Sequence, residues 1–325
     1  MLEHLEDLQS DVDLAQFLGC TIQDLKQLAS PDLAKMDHYL RFEIPKRGRK
    51  RRGEKRVILQ PTTPALLRAH GRILRVLDRL PFDDCVQGFA GKRSILTNAK
   101  KHLGHAKLLH VDILNFFESI TKAHVQTVFK TLGCNPDIAA LLAEITTVEG
   151  ALPQGASTSP VLANLVCSEL DSRLLRLAAI NGSTYTRYAD DIVLSGDRVP
   201  AISTVKQILA ESGFQVRVGS ERVQKRGQSQ YVTGLSISDT SRPRLPRRTK
   251  RRMRLVVHYV QRFGLEAHLR HNGIDEDDWY LYIQRMEGRF AFMHSVEPEW
   301  TANLWATWSK IVSAWSGAQS SGSPE

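Results

Sequence analysis

The stretch Tyr185-Thr-Arg-Tyr-Ala-Asp-Asp-Ile-Val-Leu-Ser195 constrains the fold of this chain more than any other. It sets two adjacent carboxylates, Asp190 and Asp191, between two apolar, β-prone runs. Successive side chains on a strand point to opposite faces, so both acids can serve one site only where the backbone turns sharply. The pattern predicts a β-hairpin, with residues 185–188 entering, residues 192–195 leaving and the acidic pair at the tip. An ordinary solvated turn also accepts Asp readily. An acidic tip between buried strands is different, because it needs a cation or a basic partner.

A further carboxylate, Asp112, ends the β-prone run that starts at Lys107. Such a group at the end of a buried strand is a candidate for function. If Asp112 meets the hairpin, three ionised groups about 4 Å apart repel by roughly 4 kcal/mol per pair at an effective dielectric of about 20. Hard carboxylate oxygens without His or Cys favour Mg²⁺, and two such ions activate an attacking hydroxyl and stabilise a leaving pyrophosphate. On this reading Asp112 and Asp190 bridge two Mg²⁺ ions, with Mn²⁺ as an alternative. Asp191 assists, and the backbone carbonyl of Ile113 is a further ligand. A nuclease would use the same ions, so acids alone leave that alternative open.

The charge balance points to an anionic partner: Lys+Arg number 44 against 35 Asp+Glu, a net charge of +9. Nucleic acid is the first candidate and a membrane surface the second. The charge is concentrated in two places. Residues 41–56 hold nine Lys or Arg, and residues 242–254 hold eight with no acid between them. Both suit a polyanion. No apolar run approaches a membrane span, and the acidic start Met1-Leu-Glu-His-Leu-Glu-Asp lacks the features of a signal peptide. The four cysteines, Cys20, Cys85, Cys134 and Cys167, show no zinc or disulfide spacing. A soluble protein of the reducing cytoplasm, with buried thiols and no membrane partner, is expected.

Two short helices are predicted before residue 38, the second restarting at the capping sequence Thr21-Ile-Gln-Asp24. Strands over 39–45 and 55–60 flank a basic, glycine-bounded turn. An amphipathic helix follows over 64–80, then a glycine-punctuated basic loop over 86–94, a weak phosphate signal by itself, and a helix over 95–102. Helices over 122–132 and 136–148 precede a polar turn whose Ser157, Thr158 and Ser159 are suited to cap one helix running to Leu177. A helix over 201–212, a strand over 214–218 and a strand over 232–237 come after the acidic hairpin. From Thr249 onward the chain reads as helical, with Leu304, Trp308, Ile311 and Trp315 as a core stripe. The order implies an α+β fold, helices lying behind an acidic sheet.

Three motifs sharpen this. Asp112-Ile-Leu-Asn-Phe-Phe117 resembles the first catalytic motif of reverse transcriptases, Leu152-Pro-Gln-Gly-Ala-Ser-Thr-Ser-Pro160 the second, and Tyr188-Ala-Asp-Asp191 the YxDD box, in matching order and spacing. Asn98-Ala-Lys-Lys-His102 is similar to the NAxxH element, and Val232-Thr-Gly234 to the VTG element, of bacterial retron reverse transcriptases. The similarity runs from about residue 39 to residue 308. It implies a right-hand polymerase: an N-terminal helical segment over 1–38, fingers over 39–110, a palm over 111–237 with interleaved fingers helices, a helical thumb over 238–316, and a disordered tail over 317–325. The palm would carry the antiparallel sheet and the acidic hairpin.

The resemblance also assigns roles. Asp112, Asp190 and Asp191 would be catalytic. Arg56 and Lys46 would meet the incoming dNTP, Gln154 and Gly155 would line its pocket, and Phe117 would be the bulky gate that excludes a ribose 2′-hydroxyl. Tyr188 and Ala189 would lie beneath the primer end. Asn98 and His102 would hold a structured non-coding RNA, and Arg247, Arg248, Arg251 and Arg252 would grip its stem-loop. The implied activity is RNA-directed DNA synthesis that copies a cognate msr-msd RNA into msDNA from a guanosine 2′-hydroxyl, in an anti-phage system with a separate effector protein. The other readings are a binding scaffold or antitoxin for that effector, and a group II intron or diversity-generating enzyme. In one place the chain departs from its relatives. The lysine usual after the fourth motif's Gly-Phe is missing, Gly213-Phe214 being followed by Arg217, Ser220 and Glu221, which leaves Arg222 or Lys225 as candidate substitutes.

Overall fold

The computed structural model describes residues 5–30, 35–46 and 53–321. The basic turn predicted over 46–53 therefore lies largely outside the described residues. The chain separates into two compact units, Met1–Asn98 with His105–Lys225, and Ala99–Gly104 with Arg226–Glu325.

In the first unit, α1 (Asp11–Leu18) and α2 (Ile22–Leu28) each start from a reciprocal capping box, Ser10 with Asp13 and Thr21 with Asp24. That arrangement satisfies two orphan backbone donors at each helix start. The strands β1 (Tyr39–Pro45) and β2 (Lys55–Pro61) pair antiparallel, and α3 (Pro64–Leu77) follows. The next helix, α4, is short, Ile95–Lys100. Then come β3 (Lys107–Asp112), α5 (Lys122–Thr131), α6 (Pro136–Thr146), α7 (Ser159–Val166), α8 (Ser168–Ile180), β4 (Thr184–Tyr188), β5 (Asp191–Gly196), α9 (Ile202–Glu211) and β6 (Arg222–Lys225). Four of these strands form one antiparallel sheet in the order β4-β5-β3-β6. Central β3 buries Leu108, Leu109, His110 and Val111 in succession, as a strand covered on both faces must. The core around it draws Ile192 and Leu194 from β5, and Val125, Phe129, Leu142, Leu162, Leu170 and Leu174 from the helices. The α+β expectation holds.

Three local expectations change. The strand predicted over 214–218 is only an isolated bridge, Val216 with Ile113, because β3 ends at Asp112 and the chain turns at Gly219, φ +74°. The partner of β3 on that side is β6. The single helix predicted to Leu177 breaks at Cys167, whose ψ of 0° ends α7 before α8 begins. The predicted serine and threonine caps are engaged elsewhere: Thr158, the N-cap of α7, makes no side-chain cap bond and faces His70 Nδ1 at 3.1 Å, while Ser159 donates to the Pro153 carbonyl at 2.7 Å.

The second unit is mostly helical: α10 (Arg247–Phe263), α11 (Leu265–His271), α12 (Trp279–Val296) and α13 (Pro298–Ser321). Helix α13 thus occupies 317–321, where sequence predicts a tail. The strand predicted over 232–237 is a small hairpin, β7 (Tyr231–Val232) and β8 (Leu235–Ser236). Its two turn residues, Thr233 and Gly234, have φ of 45° and 81°, the positive values that a two-residue hairpin turn requires. The VTG element is therefore a turn. Buried Glu297 accepts from the Leu245 amide at 2.8 Å and from Lys250 at 2.7 Å, which fixes the start of α10. Trp308 and Phe290 are fully buried and Trp305 stacks on Phe290, while Leu304, Ile311 and Trp315 of the predicted stripe are half-buried. All four cysteines are free thiols, and no described helix is long and apolar enough to cross a membrane.

Candidate active site

Asp112 and Asp191 stand directly opposite one another at the ends of β3 and β5. Tyr188 pairs with Asp191 across β4 and β5, leaving Ala189 and Asp190 as the two-residue turn, with Ala189 at φ 56°. The tip is therefore Ala189–Asp190, and Asp191 is already a strand residue. The Ile113 amide donates to the Asp190 carbonyl at 2.9 Å, tying the turn to the end of β3. The two motifs far apart in sequence thus meet in one place, with side-chain exposures of 23% for Asp112, 40% for Asp190 and 27% for Asp191. They are open to a ligand while their strands are buried.

Two further residues, neither of them predicted for the site, complete it. Arg217 sets its guanidinium 3.4 Å from Asp112 Oδ2 and 3.6 Å from Asp190 Oδ2. Ser220 Oγ accepts the Asp112 amide at 3.1 Å, so the residue standing near the missing lysine braces the acid's backbone. Of the candidate substitutes, Lys225 pairs opposite Lys107, at the far end of β3 from Asp112, and Arg222 pairs opposite His110. His110 itself is buried, its Nδ1 3.8 Å from Asp191 Oδ1. Among the described residues no three carboxylate, imidazole or thiol groups are gathered closely enough to hold an ion. The donor types nevertheless suit a hard cation, since Asp112 and Asp190 already share one positive group.

The walls of the site are built by close backbone approach. Segment 85–88 lies beside β4, the Gln87 amide donating to the Arg187 carbonyl at 2.8 Å and the Arg187 amide to the Cys85 carbonyl at 2.9 Å. A Cβ on Gly88 would come within 2.6 Å of the Ala189 nitrogen, so only glycine lets this loop touch the acidic turn. Arg93 donates to the carbonyls of Phe82, Asp83 and Val86. The glycine-punctuated basic loop is thus clamped on itself, and its arginine is not held out for phosphate. Asn164 from α7 donates to the Gly88 carbonyl at 3.0 Å, and next to it the Phe89 ring lies 6.0 Å from that of Phe117. Phe117 is half-buried at the end of the first motif.

Gln154 and Gly155 sit against β2. The Leu59 amide donates to the Gln154 carbonyl at 2.7 Å, and Gly155 has φ +125° with space for no Cβ beside the Leu59 oxygen. The Gln154 side chain donates to Glu118 at 2.8 Å, next to Phe117. Ile58 touches Gly155, and Arg56, two residues earlier on the same strand face, is exposed on that side. Lys46 pairs with Glu54 at 3.4 Å at the turn end of the β1–β2 hairpin, just beyond the Ile44–Arg56 pair.

The nucleic-acid candidates divide. Asn98 and His102, proposed from the NAxxH element, are fully buried. Arg247, Arg248, Arg251 and Arg252 all lie in the first two turns of α10, where Arg248, Arg251 and Arg252 border a groove of about 890 Å³ continued by Leu255, Tyr259 and Phe263. Cations at a helix N-terminus oppose the helix dipole. Local helix energetics therefore do not account for them.

Residues 44–219 match the reverse transcriptase (RNA-dependent DNA polymerase) family. Over 320 residues the chain is 32% identical to the Retron Mx65 reverse transcriptase of Myxococcus xanthus, covering 91% of this chain and 70% of that protein. It is 32% identical to the Retron Mx162 reverse transcriptase of the same organism over 334 residues, 90% of this chain and 65% of the relative. To the Retron Ec86 reverse transcriptase of Escherichia coli it is 34% identical over 227 residues, 68% of this chain and 70% of the relative.

Proposed function

Because the chain belongs to the reverse transcriptases, and among them to the retron reverse transcriptases, we propose that it copies a cognate non-coding RNA into multicopy single-stranded DNA at the Asp112–Asp190–Asp191 site. The observation that carries this reading is the cross-strand pairing of Asp112 with Asp191, which brings the first acidic motif to the YADD turn. Two divalent ions, Mg²⁺ first among them, held by Asp112 and Asp190 with Asp191 and the Ile113 carbonyl in support, would activate the attacking hydroxyl and stabilise the pyrophosphate.

In this reading 39–110 act as fingers, 111–237 as palm and 238–316 as thumb. Arg56, with Lys46 farther along the hairpin, meets the triphosphate, and the Gln154–Gly155 backbone lines the nucleotide pocket. Phe117 stands against the sugar, where its ring leaves no room for a 2′-hydroxyl. Tyr188 and Ala189 support the primer end. The arginines of α10 suit an RNA stem-loop, since phosphate contacts supply orientation and affinity without reading sequence. Synthesis would start from a guanosine 2′-hydroxyl in that RNA, and the branched RNA–DNA product, held by the protein, would restrain a separate toxic effector during phage infection.

The test is Asp190→Asn in the complex with its RNA, supplied with dNTPs and Mg²⁺. It is expected to abolish cDNA while RNA binding persists. Normal cDNA yield would overturn the catalytic assignment. Full effector restraint by the inactive variant would instead favour the scaffold reading of the protein's cellular role.

A further inference from the structure

Arg217 lies inside the acidic site without any place in the three catalytic motifs. Its backbone is fixed there. The Arg217 amide donates to the Asp112 carbonyl at 2.9 Å, the Leu114 amide donates to the Gln215 carbonyl at 2.8 Å, and Val216 bridges to Ile113. Residues 215–217 therefore run along the very end of β3, and their position follows that of Asp112. The side chain is 24% exposed, with one Nη toward Asp112 and the other toward Asp190.

These two contacts differ from the buried ion pair of the same unit. At 3.4 and 3.6 Å they are longer than a charge-assisted hydrogen bond. Arg187 and Asp171, by contrast, meet at 2.6 Å. A long, half-exposed contact supplies charge without locking geometry, so it can be given up. A positive charge is needed at this point when no ion is bound, because the register brings Asp112 and Asp191 together on adjacent strands with Asp190 beside them. Lys206, another cation near this segment, is engaged by Glu221 at 2.6 Å.

We propose that Arg217 is the resident counter-ion of the active site: its guanidinium bridges Asp112 and Asp190 when divalent ions are absent, and releases them when ions bind. Arg217 is a positioning residue that sets metal affinity. The proposal rests on the reading of the three aspartates as the metal-holding set. It explains why those donors suit a hard cation yet are not drawn around a single point: a guanidinium is larger than the ion it stands in for and keeps two of the carboxylates on its separate prongs.

The measurement is Mn²⁺ binding to the full-length protein without nucleotide, followed by electron paramagnetic resonance, together with melting temperature in EDTA. With the competing charge removed, Arg217→Gln is expected to bind Mn²⁺ about tenfold more tightly. It should also melt below the parent protein in EDTA and regain the difference when Mn²⁺ is added. Arg217→Lys, which keeps a charge, should stay near the parent in both respects. Asp112→Asn is the control and should lose the Mn²⁺ site. If Asp112→Asn removes binding while Arg217→Gln binds as the parent does or more weakly, the counter-ion role is wrong and the metal-holding reading stands. If Asp112→Asn binds Mn²⁺ as the parent does, the metal-holding reading fails, and the counter-ion role with it.

Discussion

Arg187 and Asp171 form a two-pronged ion pair wholly inside the first unit, with Nε 2.8 Å from Oδ1 and Nη2 2.6 Å from Oδ2. The same Asp171 Oδ1 accepts from the Tyr185 hydroxyl at 2.6 Å, and Arg187 also reaches Asn164 Oδ1 at 3.1 Å. Since Asn164 holds the Gly88 carbonyl, one polar joint links β4, α7, α8 and the loop against the YADD turn. Burial, then the nearby Asp171 carboxylate, hold the Tyr185 hydroxyl's pKa well above its ordinary range, so it stays a donor.

Removing one partner of this pair leaves an uncompensated buried charge, at a cost of about 3–5 kcal/mol. Arg187→Met and Asp171→Leu should each reduce stability by about that much in urea denaturation, and the double variant should recover most of it. Single effects below about 1 kcal/mol would mean that water reaches the pair.

Phe117 should govern sugar selection. Phe117→Ala is expected to lower the preference for dNTP over rNTP by about 10- to 200-fold, the range one hydrophobic pocket contact can supply. Phe89→Ala should act in the same direction but less, because its ring packs against that of Phe117, centroid to centroid 6.0 Å. Single-nucleotide incorporation with each substrate measures both. An unchanged ratio in Phe117→Ala removes it from the gate.

His70 should give the first unit an acid-sensitive joint. Its Nε2–H donates to the Ile145 carbonyl at 3.3 Å and Nδ1 accepts from the Thr158 hydroxyl at 3.1 Å. Burial, opposed by the Ile145 carbonyl, pushes its pKa from 6.5 down to about 4. The folded state thus takes the proton less readily than the unfolded chain. Stability is full above pH 6.5, declines as pH falls, and levels off near pH 4 after a drop of about 3 kcal/mol. Thermal melts across that window should show the decline, and His70→Gln should flatten it. An equal slope in the variant would assign the acid sensitivity to other groups.

The arginines of α10 should matter for binding and not for folding. Replacing Arg247, Arg248, Arg251 and Arg252 by Ala is expected to weaken RNA affinity and to reduce the slope of log K against log salt by up to about one for each phosphate left without its arginine. Melting temperature should hold or rise, since each cation opposes the helix dipole. An unchanged salt slope would send the RNA elsewhere.

Much of this protein is legible in local sequence. The capping box at Thr21, the acidic hairpin and the buried Trp308 follow from periodicity and turn chemistry, whose signals span only a few residues, whereas the approach of Asp112 to the YADD turn was implied only by the resemblance of the motifs. An arginine in the middle of an apolar strand, as at Arg187, was also a readable sign that a buried acid must face it.

Tertiary structure decided the rest. That Asp191 belongs to a strand and only Asp190 to the turn depends on the β4–β5 register, where a slip of one residue would reverse every side chain. That Arg217 comes to the acids, while Lys225 sits at the far end of β3, depends on how residues 215–225 run along that strand. The burial of Asn98 and His102 likewise depends on neighbours remote in sequence. Such contacts are selected by packing and charge across the sheet, and a residue's sequence neighbours carry no record of them.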